Sequence, residues 1–218
     1  MRATGQLGVF TVAVLLAGRM QAQPVPSGTA DNSSGAAAHP WEFSLTVDGY
    51  MVPHAQFYVS PIFTADRNWL HLEARYNYEN LNTGSLWIGR NFSVGRTWVL
   101  EAKPMVGGVF GNTAGIAPGY AVSLTYKKLE LSSTGEYLFD LRDRSASFFY
   151  SWPQLTYSPR DWLRVGLVAQ RTKAYQTSLD VQRGVLVGFS HKSLNFTTYI
   201  FNAGWTQPTV VFEVSASF

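Results

Sequence analysis

The side chains equipped for chemistry are few. His191 and Ser193 stand two apart in His191-Lys192-Ser193. A histidine beside a serine can act as base and nucleophile when a carboxylate or amide orients the ring. His71 and Glu73 are also two apart, which puts both on one face of a strand, as two metal ligands would be. The glycine-rich run 107–119, GGVFGNTAGIAPG, has the look of a phosphate-binding loop but lacks the Lys-Ser/Thr ending that such a loop needs. There is no cysteine, which removes thiol catalysis, thiolate metal sites and disulfides together. None of these candidates is complete. His71 has no second histidine at a neighbouring strand position, and the glycine run reads as an extracellular loop or an inward-folded constriction. The sequence points to no catalytic residue, no metal and no cofactor.

The elements that hold these residues are clearer. Residues 70–78, LHLEARYNY, set Leu70, Leu72, Ala74, Tyr76 and Tyr78 against His71, Glu73, Arg75 and Asn77. Strict alternation marks a strand with one greasy and one polar face. The pattern recurs about twelve times between Trp41 and Phe218, with turn residues between. The connections alternate too. ADRN, VGR, KK, SPRD and HKS are short and follow even strands, whereas those after odd strands are mostly longer. This predicts an all-β fold: an antiparallel transmembrane barrel of about twelve strands, with short periplasmic turns and longer extracellular loops. No helical period appears.

The start of the chain reads as an export signal. Met1-Arg2 is followed by the apolar run LGVFTVAVLLA, residues 7–17, and by Met20-Gln21-Ala22 as the cut. Residues 1–22 are thus expected to be a signal peptide, 23–40 a flexible linker rich in Pro, Gly, Ser and Ala, and 41–218 the barrel. Removing Arg2 and Arg19 leaves fifteen basic against fourteen acidic side chains, so the basic character is slight. No Lys/Arg cluster suggests nucleic acid.

Alternation alone does not say which face meets the interior. A soluble exported barrel would turn Leu70, Leu72 and Tyr76 inward around a small apolar ligand. A membrane barrel reverses this. Trp41, Tyr76, Tyr78, Trp98, Tyr120, Tyr126, Tyr137 and Tyr157 lie on the greasy face, many near strand ends, where interfacial girdles form. Charged residues are only 14% of the chain, little to solubilise an exterior. The membrane reading is preferred.

The last residues, VVFEVSASF, resemble the C-terminal strand of bacterial outer-membrane barrels, which end in alternating apolar residues and a terminal Phe. That resemblance implies that Phe212, Val214 and Phe218 form an assembly signal read by the barrel-assembly machinery. The segments LHLEARYNYEN and TGSLWIGRNFSVG are similar to those of small porin-like outer-membrane barrels. The resemblance implies an outer-membrane location among membrane lipid, and no activity. The outer-membrane phospholipases and lipid A deacylases carry a His–Ser pair on a strand near the outer leaflet. His191 and Ser193 instead fall in a short turn on the periplasmic side, so a lipid-modifying enzyme is the weaker alternative.

The expected lumen is charged. His71, Glu73, Arg75, Asn77, Glu101, Lys103, Glu130, Glu136, Arg164 and Glu213 are its polar residues, with Glu42 at one end. Burying such groups requires that they pair or stay hydrated. The leading function is non-enzymatic: a monomeric structural barrel, or a narrow porin-like channel whose acidic surplus favours cations. Two residues sit awkwardly. Arg90 shares the parity of Leu86, Ile88 and Phe92, so it either snorkels or follows a bulge near Gly89. Pro104 is expected to interrupt the fifth strand.

Overall fold

The computed structural model describes residues 40–174, 180–204 and 208–218; the predicted signal peptide and nearly all of the linker lie outside them. The chain forms β1 Glu42–Met51, β2 Tyr58–Arg67, β3 Leu70–Tyr76, β4 Thr83–Arg90, β5 Phe92–Val94, β6 Trp98–Gly111, β7 Gly115–Tyr126, β8 Leu129–Asp140, β9 Phe148–Arg160, β10 Leu163–Ala174, β11 Asp180–His191, β12 Leu194–Phe201 and β13 Thr209–Ser217. Successive strands pair antiparallel, and β1 closes on β13. Both β4 and β5 pair with β6, so they are two parts of one stave. The result is a closed barrel of twelve staves, the number expected.

The connections β2–β3, β5–β6, β7–β8, β9–β10 and β11–β12 are two or three residues long. Both ends of the barrel chain, near Pro40 and Phe218, lie at this short-turn end. Asn68, Gly95, Lys127 and Lys192 take positive φ there, as tight hairpins require. The opposite, loop end carries the longer connections.

The faces settle the question that alternation left open. Leu86, Leu131 and Leu167 point outward and are more than half exposed, while Ser60, His71, Thr83 and Glu213 on the other parity are buried. Apolar outside and polar inside is the arrangement of a transmembrane barrel. Trp69, Trp98 and Trp162 stand exposed beside the short turns, and Phe57, Tyr76, Phe110 and Phe139 toward the loop end. They form two aromatic belts.

Three sequence expectations are corrected, for the glycine-rich run, Pro104 and Tyr78, and the two alternatives for Arg90 are decided. The glycine-rich run 107–119 is mostly strand: β6 continues to Gly111 and β7 starts at Gly115. Its glycines make room for an inward tryptophan. A Cβ on Gly107 would lie 2.4 Å from the Trp87 ring, and one on Gly119 2.8 Å. Pro104 does not interrupt β6. Between Gly89–Met105 and Phe92–Ala102 the pairing with its neighbour lapses, so the missing N–H of Pro104 falls where the ladder is already open. No bulge forms at Gly89, because the β3–β4 register runs unshifted from Tyr76–Gly84 to Leu70–Arg90. Arg90 stays on the outer face at the short-turn end, its guanidinium 5.1 Å from the Phe92 ring and 5.8 Å from the Trp69 ring. Tyr78 belongs to no girdle; it is buried in the lumen.

Candidate functional site

The polar parity of β3 delivers His71, Glu73 and Arg75 into the lumen, all buried. The alternation ends at Asn77, whose φ of 56° turns the chain. An asparagine tolerates this left-handed conformation better than most residues. Its side chain is spent locally: Nδ2 donates to the Val59 carbonyl at 3.0 Å, and Oδ1 accepts from Asn82 N at 2.8 Å. Asn77 therefore stands apart from the lumen charges. Tyr78 and Glu79 take the inward place instead, each 2% exposed.

Arg75 is the centre of the mid-lumen cluster. Its Nε donates to Glu73, its Nη1 donates to Glu136 Oε2 at 2.8 Å, and Glu79 Oε1 lies 3.7 Å from Nη1. The guanidinium is wedged between the rings of Tyr78 and Trp87, 4.2 Å from each centroid. Trp87 Nε1 donates to Ser85 Oγ, which donates to Glu79. Three staves separate β3 from β8, so the Arg75–Glu136 contact spans the barrel interior.

Toward the short-turn end, His71 is held at both ring nitrogens, by Asp66 at 2.8 Å and by Glu73 at 3.1 Å. With both nitrogens engaged, it presents no lone pair to a metal. Lys103 Nζ lies 3.6 Å from Asp66, and Asn91 donates to the same carboxylate at 2.7 Å. A separate cluster occupies the opposite wall. Arg164 donates to Thr197 Oγ1, and Glu213 accepts from Thr197 and from the Tyr199 hydroxyl at 3.1 and 3.0 Å. Glu101 is half-buried and accepts one long bond from Ser123 at 3.5 Å. Glu130 shares the inward parity of Ser132 and Glu136, near the short-turn end of β8. The ten predicted residues thus divide into two clusters, two carboxylates beyond them, and Asn77 outside.

The interior has two unlike halves. From the short-turn rim a cavity of about 540 Å³ runs inward past Ser44, Thr64, Glu101 and Ser132 to Arg75, Tyr78 and Trp152. Beyond it, buried aromatic side chains fill the barrel. Tyr50 and Tyr58 stack at 4.6 Å, Tyr78 meets Tyr150 edge-on at 6.3 Å, and Trp152 meets Tyr199 and Phe201 at 5.3 and 5.0 Å. Tyr78 and Tyr150 come from nearly opposite sides of the barrel, whereas Trp152 and Phe201 lie on strands with only β10 and β11 between them. Of this layer only Tyr78 was placed from the sequence, on the greasy face; the other aromatics were given no face. Parity held the signal: Tyr50 follows Asp48 by two, Tyr58 precedes Ser60, Trp152 precedes Gln154, and Tyr199 follows Thr197.

The assembly residues lie outside. Phe212, Val214 and Phe218 face outward and are substantially exposed. Phe43 and Phe218 exchange two backbone hydrogen bonds of 3.0 Å, extending the closing seam to the last residue. His191 and Ser193 flank the short β11–β12 turn, with His191 exposed.

No protein-family model and no curated protein sequence matches the chain. Among solved structures it is similar to the KdgM porin, at a TM-score of 0.57 and 12% identity over 80% of this chain and 99% of that one. A KdgM porin in complex with disordered oligogalacturonate aligns at a TM-score of 0.58, also at 12% identity and with the same coverage. The likeness is one of fold: a porin-type barrel.

Proposed function

We propose that the protein is a monomeric, non-enzymatic outer-membrane barrel of porin type, exported by residues 1–22 and assembled through its C-terminal strand, with 23–40 as a periplasmic linker. Its short turns face the periplasm. It is a narrow channel: a wet vestibule open to the periplasm leads to a constriction made of side chains alone. The carrying observation is that a layer of aromatic residues, Tyr78–Tyr150 and Trp152–Phe201, separates the cavity from the loop end. Such a layer can yield by rotamer change while the barrel wall stays intact. The predicted charged residues form the vestibule wall and brace the barrel beneath the constriction.

The ligand named for the KdgM structure does not carry over. Oligogalacturonate is a polyanion. The vestibule here is lined by Glu42, Asp66, Glu73, Glu101 and Glu213 against Arg75 and Lys103, an acidic surplus. That surplus favours cations.

Single-channel recording in planar bilayers tests the reading, after a heat-dependent gel shift confirms folding. Wild type should show small or rare steps in KCl, and Tyr78→Ala with Tyr150→Ala larger, frequent ones. Silence from both folded proteins would overturn the channel reading and leave a structural barrel. Large, steady steps from wild type would overturn the constriction.

A further inference from the structure

One wall of the vestibule carries a continuous polar row. Ser93, Glu101, Ser123, Ser132 and Gln154 come from five consecutive strands, β5 to β9, and are register partners in sequence: Ser93 with Glu101, Glu101 with Ser123, Ser123 with Ser132, Ser132 with Gln154. All five line the cavity. Trp152 lies one inward position deeper on β9, opposite Thr134.

The row is not self-contained. Ser132, Gln154 and Trp152 are 6%, 3% and 2% exposed, yet Ser132 Oγ, Gln154 Oε1 and Trp152 Nε1 have no hydrogen-bond partner among the described residues. Buried polar atoms are rarely left so in native proteins, and three in one corner of a cavity point to a partner that is not the chain. Glu101 adds a carboxylate that forms no ion pair among the described residues; its one hydrogen bond there is the long one from Ser123. Of the nearby cations, Lys103 lies 3.6 Å from Asp66 and attracts Glu101 through space without pairing with it, while Arg75 is held by Glu73 and Glu136.

The chemistry of these atoms selects a ligand class. Glu101 and the Gln154 oxygen accept, the serines do either, and Trp152 donates. A complementary molecule offers mainly donors, one positive charge for Glu101, and at least one oxygen for the indole N–H. The cavity volume of about 540 Å³ is that of a small-molecule site.

We propose that the row Glu101–Ser123–Ser132–Gln154, with Trp152, is a binding subsite for a small hydroxylated organic cation of the amino-sugar or amino-alcohol class, entered from the short-turn end. The inference rests on the vestibule of the proposed channel but not on conduction itself. The ammonium sits at Glu101, the hydroxyls bridge Ser132 and Gln154, and Trp152 closes the deep side.

Equilibrium dialysis of the folded barrel in detergent micelles, at pH 6, tests this with glucosamine, glucose and galacturonate, which share ring size and differ in charge. Glucosamine should bind saturably, glucose about tenfold or more weaker, and galacturonate not at all, because a charge-assisted hydrogen bond is worth roughly that factor. Glu101→Gln should weaken glucosamine about tenfold and leave glucose unchanged; Gln154→Leu should weaken both. Equal affinity for glucosamine and glucose, indifference to Glu101→Gln, or no binding at all from a protein that shows the folded gel band would overturn the subsite. KCl conductance of wild type and of the Tyr78→Ala, Tyr150→Ala double variant separates the two proposals. Binding without conduction sinks the channel and upholds the subsite; conduction without binding does the reverse.

Discussion

Replacing Arg75 by methionine is the sharpest test of the lumen network. Methionine keeps the length and apolar stem and removes the charge. In the wild type one guanidinium serves Glu73 and Glu136 directly and stands 3.7 Å from Glu79. The side chains of all four are at most 6% exposed. Without it, three buried carboxylates face one another with no arginine between them. Breaking a buried ion pair from one side costs about 3–5 kcal/mol, because the remaining charge is left uncompensated. Two rings also lose a cation at 4.2 Å, worth about 0.5–2 kcal/mol more. The urea midpoint of the refolded barrel should fall accordingly, and the heat-shifted gel band should convert at lower temperature. Adding Glu79→Gln and Glu136→Gln to Arg75→Met should recover most of the loss, since the unpaired charges go with the arginine. An Arg75→Met barrel as stable as wild type would refute the idea that this residue braces the interior. Failure of the triple variant to recover would show that lost packing, not stranded charge, sets the cost.

Other substitutions check the faces and the turns. Leu86→Arg, on a side chain 61% exposed on the outer surface, should cost about 2–4 kcal/mol in refolding into bilayers. Leu72→Arg, nearer the short-turn end, should cost less, and equal tolerance of both would contradict a lipid-facing exterior. Gly107→Val should destabilise the barrel by about 1–3 kcal/mol, because a Cβ there would lie 2.4 Å from the Trp87 ring. Gly108→Ala, whose added carbon meets nothing within 4 Å, should be close to neutral in the same unfolding assay. At Asn77, replacement by glycine should preserve stability better than replacement by arginine, by about 1 kcal/mol, given the φ of 56°. Removing Phe218, which closes the β1–β13 seam, should slow assembly in a refolding time course without changing the final gel band.

Strand number and face were legible because a barrel wall obeys a period of two, and the wrong period would put leucine in water or glutamate in lipid. That logic placed Glu73, Arg75, Glu136 and Glu213 inside from parity alone. It failed where a residue type carries two meanings. Glycine reads as loop, but Gly107 and Gly119 are strand positions left bare for Trp87. Tyrosine reads as interface at Tyr78, but Tyr78 fills the lumen together with Tyr50 and Tyr150, which were left unplaced from the sequence. At Asn77 a single left-handed φ ended the alternation, so the next residues traded places. Glu73, two residues from Arg75 on the same strand face, was legible as its neighbour, but that Arg75 also meets Glu136 was beyond sequence reading, because β3 and β8 touch only across the interior.

The lengths of the inward side chains explain why the interior has two halves. Twelve staves enclose more space than the eight that side chains can fill completely. Short residues on opposite walls then fail to meet and leave an opening. At the short-turn end the inward positions include Ser44, Thr64, Ser123, Ser132 and Ser215, and there the cavity lies. Nearer the loop end they become Tyr50, Tyr58, Tyr78, Tyr150, Trp152 and Phe201, and the walls touch. Arg75 stands at the boundary, long enough to reach from β3 to Glu136 and flat enough to lie between Tyr78 and Trp87. Bore is therefore set by side-chain reach rather than by strand number. An aromatic layer held by ring contacts of about 0.5–1.5 kcal/mol each can open without the wall moving. The buried ion pairs beneath it are dearer to break, so in the proposed channel they would hold the lower interior in place while the constriction above them opened.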